Sequence, residues 1–387
     1  MLRLDQASRA RVVVAGMGDA GLLAAINLAR HRRLVDVVGV SSKPGLISGQ
    51  SLGWRLARPE EWVTRFNISY DRFRVLDRAR LVHGSLTGLD TDARTVTVRS
   101  ADGTTTREPY DALVLATGVS NGFWRQPELQ DQSEIDKGLR DMHARFAAAD
   151  SIAVVGGGAT AVGSAAQLAE AFPDARIDLY FPGDRALTSH HPDVWNAVRA
   201  RLERLRVHLY PGHRAELPTD LSPAAGPVTF VTGQPPAEAG LVLWAVGLAR
   251  PNTAWLPEDL LDPHGYVRVG TDLRTPDHDR IWAVGDVAAS DSLRGSARNG
   301  GPALVARNVV AALRGKPGRD LQIRGQAQGA VLGPLQDGLE IFSYAGRRVR
   351  IPRRPYFALE RYLEGPFVYG GIRPASSQVA DSMKQVL

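Results

Sequence analysis

Residues 11–21 read RVVVAGMGDAG. The β-branched run Val12–Val14 precedes Gly16, Gly18 and Gly21, and the apolar stretch Leu22–Ala29 follows. Strand, glycine turn and helix in this order, with the spacing GxGxxG, form the context in which a dinucleotide pyrophosphate is bound. Gly16 permits the tight turn, Gly18 lets a phosphate approach the backbone, and Gly21 lets helix and strand pack closely. Asp19 and Ala20 complete the loop. The helix start offers N–H groups and a positive dipole end to an anion.

The pattern occurs twice. Residues 151–172 read SIAVVGGGATAVGSAAQLAEAF, with Gly156 and Gly158 in the first two glycine positions and Ala161 in the third, where alanine is allowed. Ala159 and Thr160 fill the turn between them. Two such loops predict two nucleotide sites, one in each of two Rossmann-like units.

Composition narrows the chemistry. The chain has 387 residues, 44% apolar and 23% charged, as in an ordinary globular protein long enough for two or three domains. It contains no cysteine, so disulfides, thiolate metal sites and a redox-active dithiol are excluded. The net charge is +6, which favours anionic cofactors and acidic partners over basic ones. Neither a signal-peptide pattern nor an apolar run near the ~20 residues of a membrane span is found, and a cytoplasmic location is expected.

Further along, Leu34–Val40 predicts a second parallel strand. The acid that holds a ribose usually stands about 20 residues after the loop. Here Ser41, Ser42 and Lys43 occupy that place, offering a hydroxyl and a cation instead. Residues 45–62 read as irregular, and 79–84 and 95–99 as short strands. Tyr110–Gly118 predicts an apolar strand ending in Ala116, Thr117 and Gly118, small residues beside which a cofactor can lie. Asn121–Lys137 reads as a polar crossover. In the second unit, Arg176–Phe181 predicts a strand whose end, Tyr180 and Phe181, carries no acid, while Arg185 follows. That pairing leans toward a 2′-phosphate, hence NADPH over NADH. Residues 211–240 read as loop-rich. Leu241–Gly247 and Ile281–Ala288 predict strands ending in Gly247 and in Gly285-Asp286, and a helix begins near Pro302. Glu340–Val349 alternates as a strand would. The cluster Arg347, Arg348, Arg350, Arg353 and Arg354 then precedes a run of aromatic residues from Tyr356 to Tyr369.

Taken in order, these motifs resemble the two-dinucleotide flavoprotein reductases of the pyridine nucleotide–disulfide oxidoreductase fold. Within that group the chain is most similar to type II NADH dehydrogenases and apoptosis-inducing-factor-like quinone reductases. The resemblance spans roughly residues 10–370 and rests on the two glycine loops, Ala116-Thr117-Gly118, Trp244–Gly247 with Pro251–Thr253, and Ala283–Asp286. It implies an α/β fold: an FAD domain from 1–120 and 248–318, an NAD(P)H domain at 121–247, and a small C-terminal α+β domain at 319–387. It further implies that the first loop binds the FAD pyrophosphate and that Asp286 accepts hydrogen bonds from the ribityl hydroxyls. The helix near Pro302 would face the flavin, and the second loop would take NAD(P)H. Two departures stand out: Ser41 in place of the ribose-binding acid, and Gly163 where the family often carries a glutamate beside the nicotinamide.

The expected activity is transfer of electrons from NAD(P)H through FAD to a quinone-like or other small acceptor. No side chain is singled out as a catalytic acid or base, because the flavin carries the chemistry. Two alternatives stay open: a reductase of a ferredoxin-like carrier, and a flavin-binding regulatory or nucleic-acid-associated protein with vestigial turnover. No nucleic-acid-binding signature supports the latter. The C-terminal basic and aromatic residues suggest contact with the inner face of a membrane, or a homodimer interface.

Overall fold

The computed structural model describes residues 9–122, 125–291, 295–297, 300–322, 327–359 and 366–374. Two five-stranded sheets organise it. In the first, the strands run Ile281–Ala283, Ala112–Leu115, Ala10–Ala15, Val35–Ser41 and Arg80–His83, all parallel. The central strand is a continuous apolar run because both of its faces are covered. Val12 and Val14 pack with Leu22, Ile26 and Val305, whereas Val13 and Ala15 pack with Val98, Leu113 and Ile281. Each fully buried valine, leucine or isoleucine side chain is worth about 1.5–3 kcal/mol over leaving it exposed. Helices Asp19–Ala29 and Gly301–Leu313 cover one face, and the antiparallel meander Ser85–Asp90, Thr95–Arg99 and Thr105–Pro109 lies on the other.

The second sheet orders His208–Tyr210, Arg176–Tyr180, Ser151–Val155, Ala237–Trp244 and Ala224–Val228, the last antiparallel. Its central strand repeats the logic: Ile152 and Val154 meet helix Ala159–Ala171 through Val162 and Ala165, and Ala153 and Val155 meet Tyr180 and Trp244. The chain passes between the two sheets twice, and the two passages pair as the short ladder Val119–Ser120 with Arg250–Pro251.

Several stretches differ from the sequence expectation. Residues 45–62 are ordered, with strand Gly45–Ile47 and helices Leu52–Ala57 and Pro59–Phe66. Gly53 is a packing residue: a Cβ there would lie 2.5 Å from the Ser164 Cα on the second unit's helix. Pro59 starts the next helix, where its missing N–H costs nothing, and Glu60 and Glu61 complement the dipole in the first turn. The polar crossover ends in helix Gln132–Ala147, nucleated by a reciprocal capping box between Asp131 and Glu134. The loop-rich region contains the edge strand Ala224–Val228.

Glu340–Val349 is a hairpin rather than one strand, Leu339–Phe342 against Arg348–Ile351, and its turn holds Gly346 at φ +74°. The basic cluster follows into helix Arg353–Leu359, where Phe357 stacks on Trp54 at 6.3 Å and lies under the Arg65 guanidinium at 4.0 Å. Tyr362 and Leu363 lie outside the described residues. Among the described residues no helix is long and apolar enough to cross a membrane.

Candidate functional site

Both glycine loops join the end of a central strand to the start of a helix whose N-terminus has no side-chain cap. Their glycines fall into two kinds. Gly16 has φ +94°, and a Cβ there would lie 2.5 Å from the Ala116 carbonyl oxygen, so the turn itself demands glycine. A Cβ at Gly21 would overlap the Gly16 carbonyl, and one at Gly156, φ +142°, would overlap that of Ala245. Gly18 and Gly158 are different. Their backbones are extended, φ −69° and −87°, and a Cβ at either would meet nothing within 4 Å. The fold tolerates a side chain at both, so the bare backbone there suits a group from outside the chain. A bare, uncapped helix N-terminus is the donor set a pyrophosphate requires, and the residues present fit one at each loop.

Gly16, Gly18, Asp19 and Ala20 open onto a cavity of about 1480 Å³. Ser41, Ser42, Lys43, Ala116, Thr117, Gly118, Gly285 and Asp286 line it too, as do Ala159 and Thr160 from the second unit. Gly21 and Pro302 lie behind this wall. Gly21 is clamped between Gly16 and Ala116, and Pro302 is buried in the first turn of helix Gly301–Leu313. A second cavity of about 270 Å³ is bordered by Gly158, Ala159 and Arg185. Gly156, Ala161 and Gly247 border neither: Gly156 and Gly247, φ +76°, serve chain turns, and Ala161 is core.

Several of these side chains are engaged within the protein. The Asp19 carboxylate accepts from Ser48 Oγ at 2.6 Å and from the Gly49 N–H at 3.0 Å, tying the loop to residues 48–50. Tyr70 donates its one hydroxyl proton to the Met17 carbonyl at 2.8 Å. The 3.1 Å contact between Ser41 Oγ and Tyr70 Oη is therefore donated by Ser41, which also accepts the Lys43 N–H at 3.1 Å. Burial pushes the Tyr70 hydroxyl pKa up, which keeps it a donor. One lone pair of Ser41 is left for a ribose. Lys43 Nζ reaches the Glu128 carbonyl and Gln130 Oε1, each at 2.5 Å, and its pKa is lowered to about 8, chiefly by burial.

Residues absent from the sequence-based site complete it. Arg125 Nη1 meets Asp286 Oδ2 at 2.5 Å within the cavity wall. Asn252 Nδ2 donates to the Thr117 carbonyl at 3.0 Å while Thr117 Oγ1 donates to the Asn252 carbonyl at 2.9 Å, locking the two motifs together. Residues 327–334 form one side of the cavity. They explain Gly163: a Cβ there would lie 2.6 Å from the Val331 carbonyl oxygen, so the helix presses on this segment and has no room for a glutamate. Gln167 Nε2 donates to the carbonyls of Leu332 and Pro334 at 2.8 and 2.9 Å, and Arg58 holds Gln167 Oε1 at 2.9 Å and Glu170 at 2.7 Å. No local pattern in residues 327–334 announces this role.

Arg185 borders the smaller cavity, where its guanidinium donates to the carbonyls of Leu187, Thr188 and His190 at 3.4 Å each. Of the C-terminal arginines, Arg348 pairs with Glu340, Arg350 with Asp337 and Arg353 with Glu61. Arg347 and Arg354 have no ion pair among the described residues. No group of three or more metal-ligating side chains occurs among them either.

Residues 10–312 match the model of the pyridine nucleotide-disulphide oxidoreductases, and the chain belongs to that family. It is a flavoprotein oxidoreductase, with FAD and NAD(P)H as its cofactors. An NADH dehydrogenase-like protein of Mycobacterium tuberculosis is 30% identical over 310 residues, 72% of this chain and 73% of its own. An oxidoreductase of Pestalotiopsis fici is 27% identical over 321 residues, 79% of this chain and 84% of its own. Two further fungal oxidoreductases are matched over only 50% and 65% of their length. In fold, the sulfide:quinone oxidoreductase of Aquifex aeolicus superposes with a TM-score of 0.70 at 16% identity, covering 97% of this chain and 95% of that one.

Proposed function

We propose that the protein oxidises NAD(P)H, preferring NADPH, and passes the electrons to a quinone or another small diffusible acceptor. The observation that carries this reading is the single cavity shared by both units. It runs from Gly16 and Gly18 past Thr160 to Leu332, Leu339 and Tyr344. A cavity of about 1480 Å³ exceeds the roughly 300–1,000 Å³ of a drug-sized ligand site and leaves room for a dinucleotide and a second molecule. With no cysteine in the chain, electrons have no protein dithiol to pass through.

FAD, when bound, supplies the capacity to accept a hydride from NAD(P)H and to release two electrons. The chain's contribution is placement. Helix Asp19–Ala29 would offer its uncapped first N–H groups to one pyrophosphate, and helix Ala159–Ala171 would offer its own to the other. Asp286, with Arg125 paired to it, would hold the ribityl hydroxyls, and the segment 327–334 forms one side of the cavity. A quinone acceptor takes up two electrons and two protons to give a quinol, one proton arriving with the donor's hydride equivalent and one from water. The NADPH preference is supported by the lack of an acid at Tyr180 and Phe181 and by Arg185 on the smaller cavity.

The test is anaerobic mixing of FAD-loaded protein with NADPH or NADH, followed by a panel of ubiquinone and menaquinone analogues, ferricyanide and a ferredoxin. Bleaching of the flavin by NADPH and its rapid return with quinones is the expected result. Return only with ferredoxin would replace the acceptor assignment, and no bleaching by either nucleotide would remove the reductase reading.

A further inference from the structure

Helix Ala159–Ala171 turns one face toward the large cavity. Thr160, Gly163, Ser164 and Gln167 stand along it, at the spacing that places residues on one side of a helix. Thr160 belongs to the first turn, beside the glycine loop. Gly163 has no side chain to offer. The Gln167 amide is taken up by the carbonyls of Leu332 and Pro334 and by Arg58. Ser164 is different. It is fully buried, and its hydroxyl has no hydrogen-bond partner among the described residues.

A serine within a helix can settle its hydroxyl on the carbonyl one turn back, here that of Thr160. The Ser164 hydroxyl does not do so. Unpaired and buried, it has given up its hydration and gained nothing in exchange, which destabilises the fold. The same helix fills its other buried places with Ala161, Ala165 and Ala166, and an alanine at 164 would avoid that loss. The folded chain by itself has no use for this hydroxyl.

Its surroundings are apolar. Gly53 of helix Leu52–Ala57 lies against it, close enough that a Cβ would come within 2.5 Å of the Ser164 Cα. Leu52, Leu56, Val331 and Leu332 belong to the same packed cluster as Val162 and Ala165, and Met142 packs against that cluster. Leu52, Leu56, Met142, Val331 and Leu332 also line the cavity. Arg58, the cation that reaches Gln167 on this helix, is neutralised by Glu170 at 2.7 Å.

We infer that Ser164 is a binding residue for the electron acceptor, its hydroxyl donating a hydrogen bond to a carbonyl oxygen of an uncharged, largely apolar molecule. That molecule lies between helix Ala159–Ala171, helix Leu52–Ala57 and the segment 327–334. Apolar walls with one convergent polar group hold a ligand by its flat faces and orient it by its one polar edge. A quinone ring has that form, and its carbonyl oxygen accepts what a serine donates. A protein carrier cannot reach a fully buried hydroxyl, so the acceptor that uses it is a small molecule.

This inference rests on the reading that the acceptor is quinone-like, and the experiment tells the two apart. Oxidised, FAD-loaded protein is dialysed to equilibrium against menadione, or against 2-methylnaphthalene, the same ring system without the carbonyl oxygens. The chain has no cysteine for menadione to alkylate. Wild type and Ser164→Ala are compared, and both are melted without ligand. The expected result is that Ser164→Ala weakens menadione about tenfold, leaves 2-methylnaphthalene within twofold, and melts at or above the wild-type temperature. Unchanged menadione affinity overturns the inference and leaves the hydroxyl to solvent. Equal weakening of both ligands overturns it too, because Ser164 would then only shape the crevice, and so does a variant that melts well below wild type. Wild-type protein that binds no menadione also overturns it. The quinone reading is judged separately, by whether menadione restores the colour of flavin bleached with NADPH.

Discussion

The two glycine loops share a fingerprint and use their glycines differently. In the first unit all three fingerprint positions are glycine, and the third, Gly21, is required because a Cβ would overlap the Gly16 carbonyl. In the second unit the third position is Ala161, whose Cβ fits 3.2 Å from where one at Gly156 would be. The second helix instead has a glycine two residues further on, Gly163, against the Val331 carbonyl. The first loop thus packs tightly on its own sheet. The second loop is looser there, and its helix receives a segment from far along the chain. Gly18 and Gly158 are alike in both units: neither is demanded by the fold.

The largest effect that could break this comparison comes from Gly21→Val. The overlap is with backbone, which cannot swing away, and a loss of about 3 kcal/mol or more is expected. Thermal unfolding with and without added FAD measures it; a variant melting near wild type would mean the loop can relax and that Gly21 is not structural. Next is Gly158→Glu. The backbone accommodates a side chain, so the variant folds and keeps FAD, while its carboxylate repels and blocks the nucleotide phosphates. Flavin reduction by NADPH in rapid mixing is expected to fall at least about a hundredfold, on the order of 3 kcal/mol. Normal reduction would assign NAD(P)H elsewhere.

Gly163→Ala is expected to have a smaller effect, a destabilisation of about 1–3 kcal/mol as the 327–334 segment is pushed off the helix. The signature that separates it from a generic defect is early proteolytic cleavage within that segment at temperatures where the rest of the chain stays intact. Cleavage spread evenly over the chain would count against the packing role. Smaller still is Arg185→Ala, for which the NADPH-to-NADH ratio of reduction efficiencies is expected to drop about tenfold, near 1.4 kcal/mol. An unchanged ratio would leave Arg185 as a staple of its loop alone.

The least effect is expected at the C-terminal arginines. With Arg348, Arg350 and Arg353 paired to acids, only Arg347 and Arg354 are left to attract an anionic surface, at about 1 kcal/mol each. Vesicle sedimentation at low salt is expected to pellet a minor fraction of the protein with anionic lipid and none with neutral lipid. The double substitution Arg347→Glu, Arg354→Glu should abolish the difference. Equal pelleting of both proteins would dismiss membrane contact through this face.

Much of this was legible in the sequence because it is encoded locally. A valine run buried on both faces, a turn that needs positive φ and an alanine-rich helix are all adjacent in the chain. The spacing of Gly16, Gly18 and Gly21 therefore announces both the strand–turn–helix unit and the anion-binding backbone. The strand ends at Ala116–Gly118 and Gly285-Asp286 were readable for the same reason. What local pattern could not convey was the meaning of glycines that answer to distant backbone. Gly53 fell within a stretch that read as irregular and Gly163 stood where a glutamate was expected, yet one packs on Ser164 and the other on Val331. Nor could it show that the Ser41 hydroxyl proton goes to Tyr70 or that Arg125 stands against Asp286. These depend on contacts between residues tens to hundreds of positions apart, whose geometry exists only once both sheets and the tail have packed. The sequence by itself determined two nucleotide-binding units and chemistry without a dithiol; the tertiary structure decided which side chains face the cavities and which are held by the fold.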